Sequence, residues 1–309
     1  MNTFFTFNSR IYEYTSAANP NISKIPVKTF SKDLYDKYTT SDIIELNICK
    51  ELGVNYSATS PNLLANFIKI IPNNELLTRI DEATSHMFYV IKGSGYSVIK
   101  TNLISWNTGD LFVVPYIKGC DFIHHCSDNE DSVLYWVNDS PLLNYLGVKP
   151  NITKFLPTHF IGDKLKHEVE LLKTESIKHH RNRCGMLLGI SETENTTKTL
   201  THTLWSLLNL LPANTSQKPH KHNSVALDLC TYAKNDNDIY TLMGPELDKD
   251  GKTIKNPERV NWSSGGAFIT PPGWWHSHHN ESNEDAWVLP IQDAGLHTNM
   301  QTLDIQFVE

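Results

Sequence analysis

The sequence predicts a mainly β protein built from two copies of one strand-rich unit. Two observations carry that expectation. First, short apolar runs of strand length alternate with turn residues at 66–71, 87–91, 96–99, 111–114 and 133–137, and strand-like runs resume from residue 200 onward. Second, the two stretches match each other. Phe67-Ile68-Lys69-Ile70-Ile71-Pro72 matches Leu207-Leu208-Asn209-Leu210-Leu211-Pro212, and Trp106-Asn107-Thr108-Gly109 matches Trp262-Ser263-Ser264-Gly265. Phe112-Val113-Val114-Pro115 matches Phe268-Ile269-Thr270-Pro271, Asn129-Glu130-Asp131 matches Asn283-Glu284-Asp285, and Asp139 matches Asp293. The offset drifts from 140 to 156 to 154, as loop insertions would make it; residues 244–260, with the turn Asp248-Lys249-Asp250-Gly251, are one such insertion. Duplication of one β-rich unit, a sandwich or small barrel, is the simplest account.

Taken in order, residues 1–60 are expected to form a helical N-terminal extension. Leu34, Tyr38, Ile43, Ile44 and Leu46 are spaced for one face of a helix over 31–52, with Ser31 and Ser41 as caps and Gly53 as a stop. Residues 61–150 form the first unit, closed by a short helix at 141–146. Residues 151–200 connect the units: Leu165, Val169 and Leu172 fit a helix at 163–174, and the polar, Thr-rich stretch 191–199 reads as a loop. Residues 201–309 form the second unit.

Composition excludes several classes. The 309 residues carry a net charge of −7 and no long basic tract, which argues against a nucleic-acid partner. No apolar run approaches the roughly 18 residues of a membrane span. Cys49, Cys120, Cys126, Cys184 and Cys230 are odd in number and lack CxxC spacing, so reduced thiols and a cytoplasmic location are expected. The first residues lack the basic and apolar regions of a secretory signal.

Chemistry concentrates in the second unit. His220 and His222 stand two apart, which on a strand sends both imidazoles to one face. His276, behind the turn Pro271-Pro272-Gly273, can complete a three-nitrogen metal site from a neighbouring strand. His278 should share the face of His276, either as a general acid or base and substrate contact or as a histidine bonded to the next strand, while His279 points outward. Trp275 is a candidate wall for an aromatic substrate, with ordinary packing as the alternative. Asp228, in an apolar strand, needs a partner: a histidine it orients, a substrate, or a cation. Gln292 and Asp293 either line the pocket or form a turn. In the cluster His179-His180-Arg181-Asn182-Arg183, Arg183 is a candidate for bidentate binding of a substrate carboxylate, against a solvated basic loop.

These residues resemble the paired motifs of the cupin superfamily. Gly265, Pro271, Gly273, His276 and Asn280 match the second motif in full; His220 and His222 match the first, with Asn214 in place of its glycine. Asn tolerates positive φ, so that replacement is mild. With the duplication, the chain resembles a bicupin, two jelly-roll barrels, and within that group the gentisate 1,2-dioxygenase branch, on the segment Asp139-Ser140-Pro141-Leu142-Leu143-Asn144-Tyr145-Leu146-Gly147. Many cupins add a glutamate ligand four or five residues after the second histidine; Ala226 and Leu227 stand there instead, as in the three-histidine dioxygenases. In the first copy, the matches put Ile80 and Glu82 at the positions of His220 and His222, Phe122 at that of His276 and Ile117 at that of Gly273, so the first barrel is expected to be metal-free unless His86, His124 and His125 form an irregular site.

The resemblance implies Fe(II), with Zn, Mn or Ni as alternatives, and ring cleavage of a small hydroxylated aromatic carboxylate by dioxygen. It is compatible with a homo-oligomer. A metal-dependent cupin lyase or isomerase and a non-enzymatic bicupin that binds a small ligand are the other two classes.

Overall fold

The computed structural model describes residues 7–20, 22–127, 129–178 and 183–308. Its first half contains β1 (Thr29–Phe30), β2 (Asp42–Glu45), β3 (Leu64–Ile70), β4 (Glu75–Arg79), β5 (Ser85–Lys92), β6 (Ser94–Ile99), β7 (Asn102–Asn107), β8 (Leu111–Pro115), β9 (Asp121–Cys126), β10 (Ser132–Asn138) and β11 (Thr158–Phe160). The second half contains β12 (Cys184–Leu188), β13 (Trp205–Leu211), β14 (Thr215–Ser216), β15 (His220–His222), β16 (Ala226–Tyr232), β17 (Ile239–Gly244), β18 (Glu258–Asn261), β19 (Ala267–Thr270), β20 (Trp275–Asn280), β21 (Ala286–Gln292) and β22 (Ile305–Phe307).

Each half makes one barrel from a large and a small sheet. The large sheets run β11-β8-β5-β10-β3-β2 and β1-β19-β16-β21-β13-β12; the small ones run β4-β9-β6-β7 and β18-β17-β20-β15-β22, with β14 also paired to β20. The duplication is therefore structural. Even an irregularity recurs: the register shifts at Val133/Leu134 in β10 and between Cys230 and Tyr232 in β16, at the same rung of the β5–β10 and β16–β21 ladders.

Two sequence expectations need correction. Residues 31–52 are not one helix but a helical turn (Asp33–Asp36), a strand (β2) and a second turn (Cys49–Leu52) that ends at Gly53 in the left-handed conformation. The apolar residues there serve different partners: Ile44 sits opposite Phe67 on β3, whereas the Tyr35 hydroxyl donates to Gly265 O at 3.3 Å in the other barrel. The second correction concerns register. Ladder pairing with β10 and β21 makes Phe67 the counterpart of Leu208, not Leu207, and Ile70 the counterpart of Leu211. One residue of slip exchanges the two faces of a strand. The apolar runs 66–71 and 207–211 are too uniform to reveal it.

The segments before the barrels are also copies of each other. Each supplies one strand to the opposite barrel and one to its own. β1 pairs with β19 of the second barrel while β11 pairs with β8 of the first; β2 and β12 pair with β3 and β13 of their own barrels. The helix expected near 163–174 is present as Gly162–Lys178.

The largest apolar cluster lies between the two large sheets, where Phe67, Met87, Tyr89, Val113 and Tyr135 meet Leu208, Leu227, Leu229, Leu289 and Ile291. Burial of this face accounts for the apolar side chains that the central strands turn toward it. Smaller clusters fill each barrel. Phe88, Phe112, Phe122 and Trp136 pack together in the first, which keeps a pocket lined by Leu64, Asn66, His86 and Asn138 at one end; in the second, Met243, Trp262, Phe268 and Val288 occupy part of the interior.

Candidate metal centre

The rest of the second barrel's interior is a cavity of about 250 Å³. Its walls carry His220, His222, His276 and His278, Asp228 and Gln292, and the apolar surfaces of Trp205, Leu207, Pro290, Ile305 and Phe307, with Arg183, Gly185, Asn209 and Gln217 completing the lining. Period-two alternation puts them there. On β20, His276 and His278 face inward; on β15, His220 and His222 do.

The first three histidines converge. Among the described residues they form the one group of metal-ligating side chains, with ligand atoms within 4.8 Å of one another. Strand pairing sets His220 opposite His276. The turn binds the two motifs together: Gly273 donates its N–H to His222 O at 2.7 Å, and its φ of 73° is one that glycine adopts without strain. Asn214 likewise has a φ of 51°, the role expected of it in place of glycine.

The donor chemistry fits a metal. His222 donates Nδ1–H to Ser224 O at 2.9 Å and His276 donates Nδ1–H to Trp274 O at 3.1 Å, so each keeps an Nε2 lone pair available. His220 Nδ1 is buried and has no hydrogen-bond partner among the described residues. Burial is the main cause holding all three in the neutral form that ligation needs: it lowers His222 to about 4, and with neighbouring histidines it holds His220 and His276 well below the usual imidazole range. Three neutral imidazoles whose ligand atoms lie within 4.8 Å of one another match the donor set of a three-histidine metal site.

His278 is tied down differently. Trp262 donates Nε1–H to Thr241 Oγ1 at 2.8 Å, and Thr241 Oγ1 lies 2.8 Å from His278 Nδ1. The first barrel repeats this chain: Trp106 donates to Ser97 Oγ at 2.8 Å, Ser97 Oγ lies 2.7 Å from His124 Nδ1, and His124 Nε2 lies 2.9 Å from Thr78 Oγ1. Because Thr78 also donates to Phe122 O at 3.4 Å, every group is satisfied when the hydroxyl donates to Nδ1 and the imidazole carries its proton on Nε2. The same tautomer in the second barrel leaves His278 with Nδ1 occupied and Nε2–H as a donor at the cavity wall. Burial, with Arg183 nearby, lowers its pKa to about 3, so it is neutral. As expected, His279 points outward, stacking on Tyr240 at 4.9 Å.

The other candidates separate. Arg183 reaches the cavity; it donates to Lys218 O at 2.6 Å and Gln217 Oε1 at 3.3 Å, and burial lowers its pKa to about 10, leaving it charged at neutral pH. The rest of its cluster, His179 to Asn182, lies outside the described residues. Asp228 lines the cavity and accepts from Thr270 Oγ1; burial pushes its carboxyl up to about 7. It orients no histidine. Gln292 accepts from Ser224 Oγ at 2.7 Å and so braces the loop that holds His222. Asp293 receives Val225 N–H at 3.0 Å and the Asn62 amide at 2.7 Å, a structural post beside the cavity. Trp275 is a correction: alternation turns it away from His276, and its ring lies under Lys221 Nζ at 4.8 Å, outside the cavity.

Trp205 could be named from the sequence as an interior candidate but not placed, and Ile305 and Phe307 were missed. Trp205, Leu207 and Asn209 alternate along β13, and the correct register would have put them inside; β22 carries no motif. In the first barrel, ladder register gives Thr78 as the counterpart of His220 and Phe122 as that of His276, so Ile80 stands for His222 rather than His220, and Glu82 has no such role. Gly119, with a φ of 57° and three residues before Phe122, takes the place of Gly273 instead of Ile117. His86 is held by Ile80 O at 3.2 Å and Trp136 Nε1 at 3.2 Å, apart from the His124 network.

No family model matches the chain. A curated relative, 5-aminosalicylate 1,2-dioxygenase from Comamonas sp, is 31% identical over 65 residues; that match spans 21% of this chain and 17% of the relative. Among solved structures, a variant of salicylate 1,2-dioxygenase from Pseudoaminobacter salicylatoxidans in complex with gentisate superposes with a TM-score of 0.72 at 10% identity, covering 96% of this chain and 91% of that one. Another variant of the same enzyme reaches 0.74 at 11% identity, covering 96% and 92%. Procruciferin, the 11S globulin of Brassica napus, gives 0.59 at 11% identity over 93% and 86%. Likeness at this identity establishes the architecture: the chain has the bicupin fold, two cupin-type barrels in one polypeptide, that salicylate 1,2-dioxygenase also adopts.

Proposed function

We propose that this protein is a mononuclear non-haem iron dioxygenase that opens the ring of a small hydroxylated aromatic carboxylate. The observation that carries the reading is a convergent three-histidine centre without a carboxylate ligand, at the wall of a cavity that also holds a guanidinium. When bound, ferrous iron would supply open coordination positions and the redox capacity to use dioxygen. His220, His222 and His276 would hold it.

The chain's own groups would position the substrate. Arg183, kept in place by Lys218 O and Gln217, presents a fixed positive charge to a carboxylate. His278 offers an Nε2–H donor to a substrate or dioxygen oxygen; its occupied Nδ1 makes it a donor rather than a base. Trp205, Leu207, Pro290 and Ile305 give an aromatic ring apolar walls and keep bulk water away. Asp228 supplies a hydrogen-bonding group on the wall.

Oxygen consumption and ring-cleavage absorbance, measured with a panel of hydroxybenzoates on anaerobically purified, Fe(II)-loaded protein, test this reading. Turnover is expected in the wild type and none in His220→Ala. Metal-loaded wild type that consumes no oxygen with any of them ends the dioxygenase reading. Asp228, held near neutrality by burial, favours a second reading: a metal-dependent lyase or isomerase with Asp228 as the proton-transfer group. Anaerobic turnover, lost in Asp228→Asn, would select it.

A further inference from the structure

His222 and His276 are each oriented by a hydrogen bond from Nδ1 to a backbone carbonyl. Among the described residues His220 has no such bond, and its Nδ1 is buried without a hydrogen-bond partner. Something else must fix that ring. The C-terminal strand β22 runs antiparallel to β15 with Phe307 directly opposite His220 and Ile305 opposite His222. Directly opposed residues of an antiparallel pair bring their side chains together on one face. The Phe307 ring stacks on His220 with centroids 5.8 Å apart and planes 10° from parallel, an offset-stacked geometry. The Arg183 guanidinium carbon lies 5.1 Å from the Phe307 centroid. The strand is anchored at both ends: Val308 donates N–H to Pro219 O at 3.0 Å, and Asn223 donates N–H to Asp304 O at 3.2 Å.

We infer that Phe307 is a positioning residue for the metal centre: its stack on His220 does for that ligand what carbonyl hydrogen bonds do for the other two. This rests on reading the three histidines as a metal site. Phe307 is 58% exposed, so little core packing depends on it. Outer partners that orient a ligating histidine typically change metal affinity about 10- to 100-fold. The effect should require an aromatic face and not merely apolar bulk.

The test uses the full chain with Co(II) as a spectroscopic probe and Fe(II) for affinity by competition with a chelator. Phe307→Leu and Phe307→Ala should weaken metal binding about 10-fold and change the Co(II) d–d spectrum. Phe307→Tyr and Phe307→Trp should restore both. The melting temperature of the metal-free protein should stay within about 2 °C throughout, as expected for an exposed side chain. Wild-type affinity and spectrum in Phe307→Leu overturn the inference, as does a loss that Phe307→Trp fails to rescue. Wild type that takes up no metal removes instead the reading on which it rests.

Discussion

At the rung where the second barrel carries Asp228 opposite Pro290, the first carries Phe88 opposite Trp136. Phe122 replaces His276 and Thr78 replaces His220. Phe88 lies 5.7 Å from Trp136 with the rings 2° from parallel, 5.1 Å from Phe112 and 5.3 Å from Phe122. Those rings fill the space around the positions that Asp228 and His276 take in the second barrel. What both barrels keep is as informative: the Trp–hydroxyl–His chain, and the outward stack of a tyrosine on the following histidine, Tyr96 on His125 and Tyr240 on His279. A network present in a barrel without convergent ligands belongs to the frame. His278 is thus a frame histidine whose free end differs: its counterpart His124 meets Thr78 Oγ1, whereas His278 faces the cavity.

Exchanging residues between the barrels tests this most severely. His276→Phe imports the first barrel's ring and should abolish metal uptake by elemental analysis while leaving circular dichroism unchanged; retained stoichiometric metal would remove His276 from the centre. Next in size, Phe88→Ala should cost about 3–5 kcal/mol in urea unfolding, because a filled interior becomes a cavity. Asp228→Ala, at the equivalent rung of an interior that is already hollow, should cost well under half of that. Equal losses would mean that the two interiors are not packed differently.

A third measurement concerns acid. Burial depresses His86 to about 4 and His124 to about 3 in the folded first barrel, against an unfolded value near 6.5. Unfolded chains therefore bind more protons below pH 6.5, and stability falls as pH drops from about 6.5 toward the folded values. Each such histidine steepens that limb by about 1.4 kcal/mol per pH unit. Metal-free protein should show the limb in denaturant titrations from pH 7 to 4, with a shallower slope in His124→Gln; an unchanged slope would show that His124 is not buried neutral. The smallest effect is expected from Trp106→Phe and Trp262→Phe, each losing one buried hydrogen bond worth about 1 kcal/mol. Only the second should alter the Co(II) spectrum, because only its histidine borders the candidate metal centre.

The centre itself was legible because its signals are local. His220, His222, the Pro271–Gly273 turn and His276 carry their spacing within short segments, and Asn214 could be read as a glycine substitute from its own preferences. Register was not legible in the uniform apolar runs of β3 and β13, and that slip displaced the assignments of Ile80 and Glu82. Trp275 was misplaced because its nearness to His276 in sequence outweighed strand alternation. Phe307 lies on a strand defined by pairing with β15, a long-range relation with no sequence mark.

The exchanged strands β1 and β11 set the order of events during synthesis. β1 leaves the ribosome well over two hundred residues before its partner β19, and the first barrel's β8 has to wait for β11. Neither barrel can be finished while the chain is still short, and Phe30 has no sheet to bury against until the second barrel is nearly complete. Long-range pairings of this kind slow folding and leave sheet edges open in nascent chains. A stop anywhere between β1 and β19 thus releases a polypeptide with a sheet edge and an aromatic residue awaiting partners that were never made.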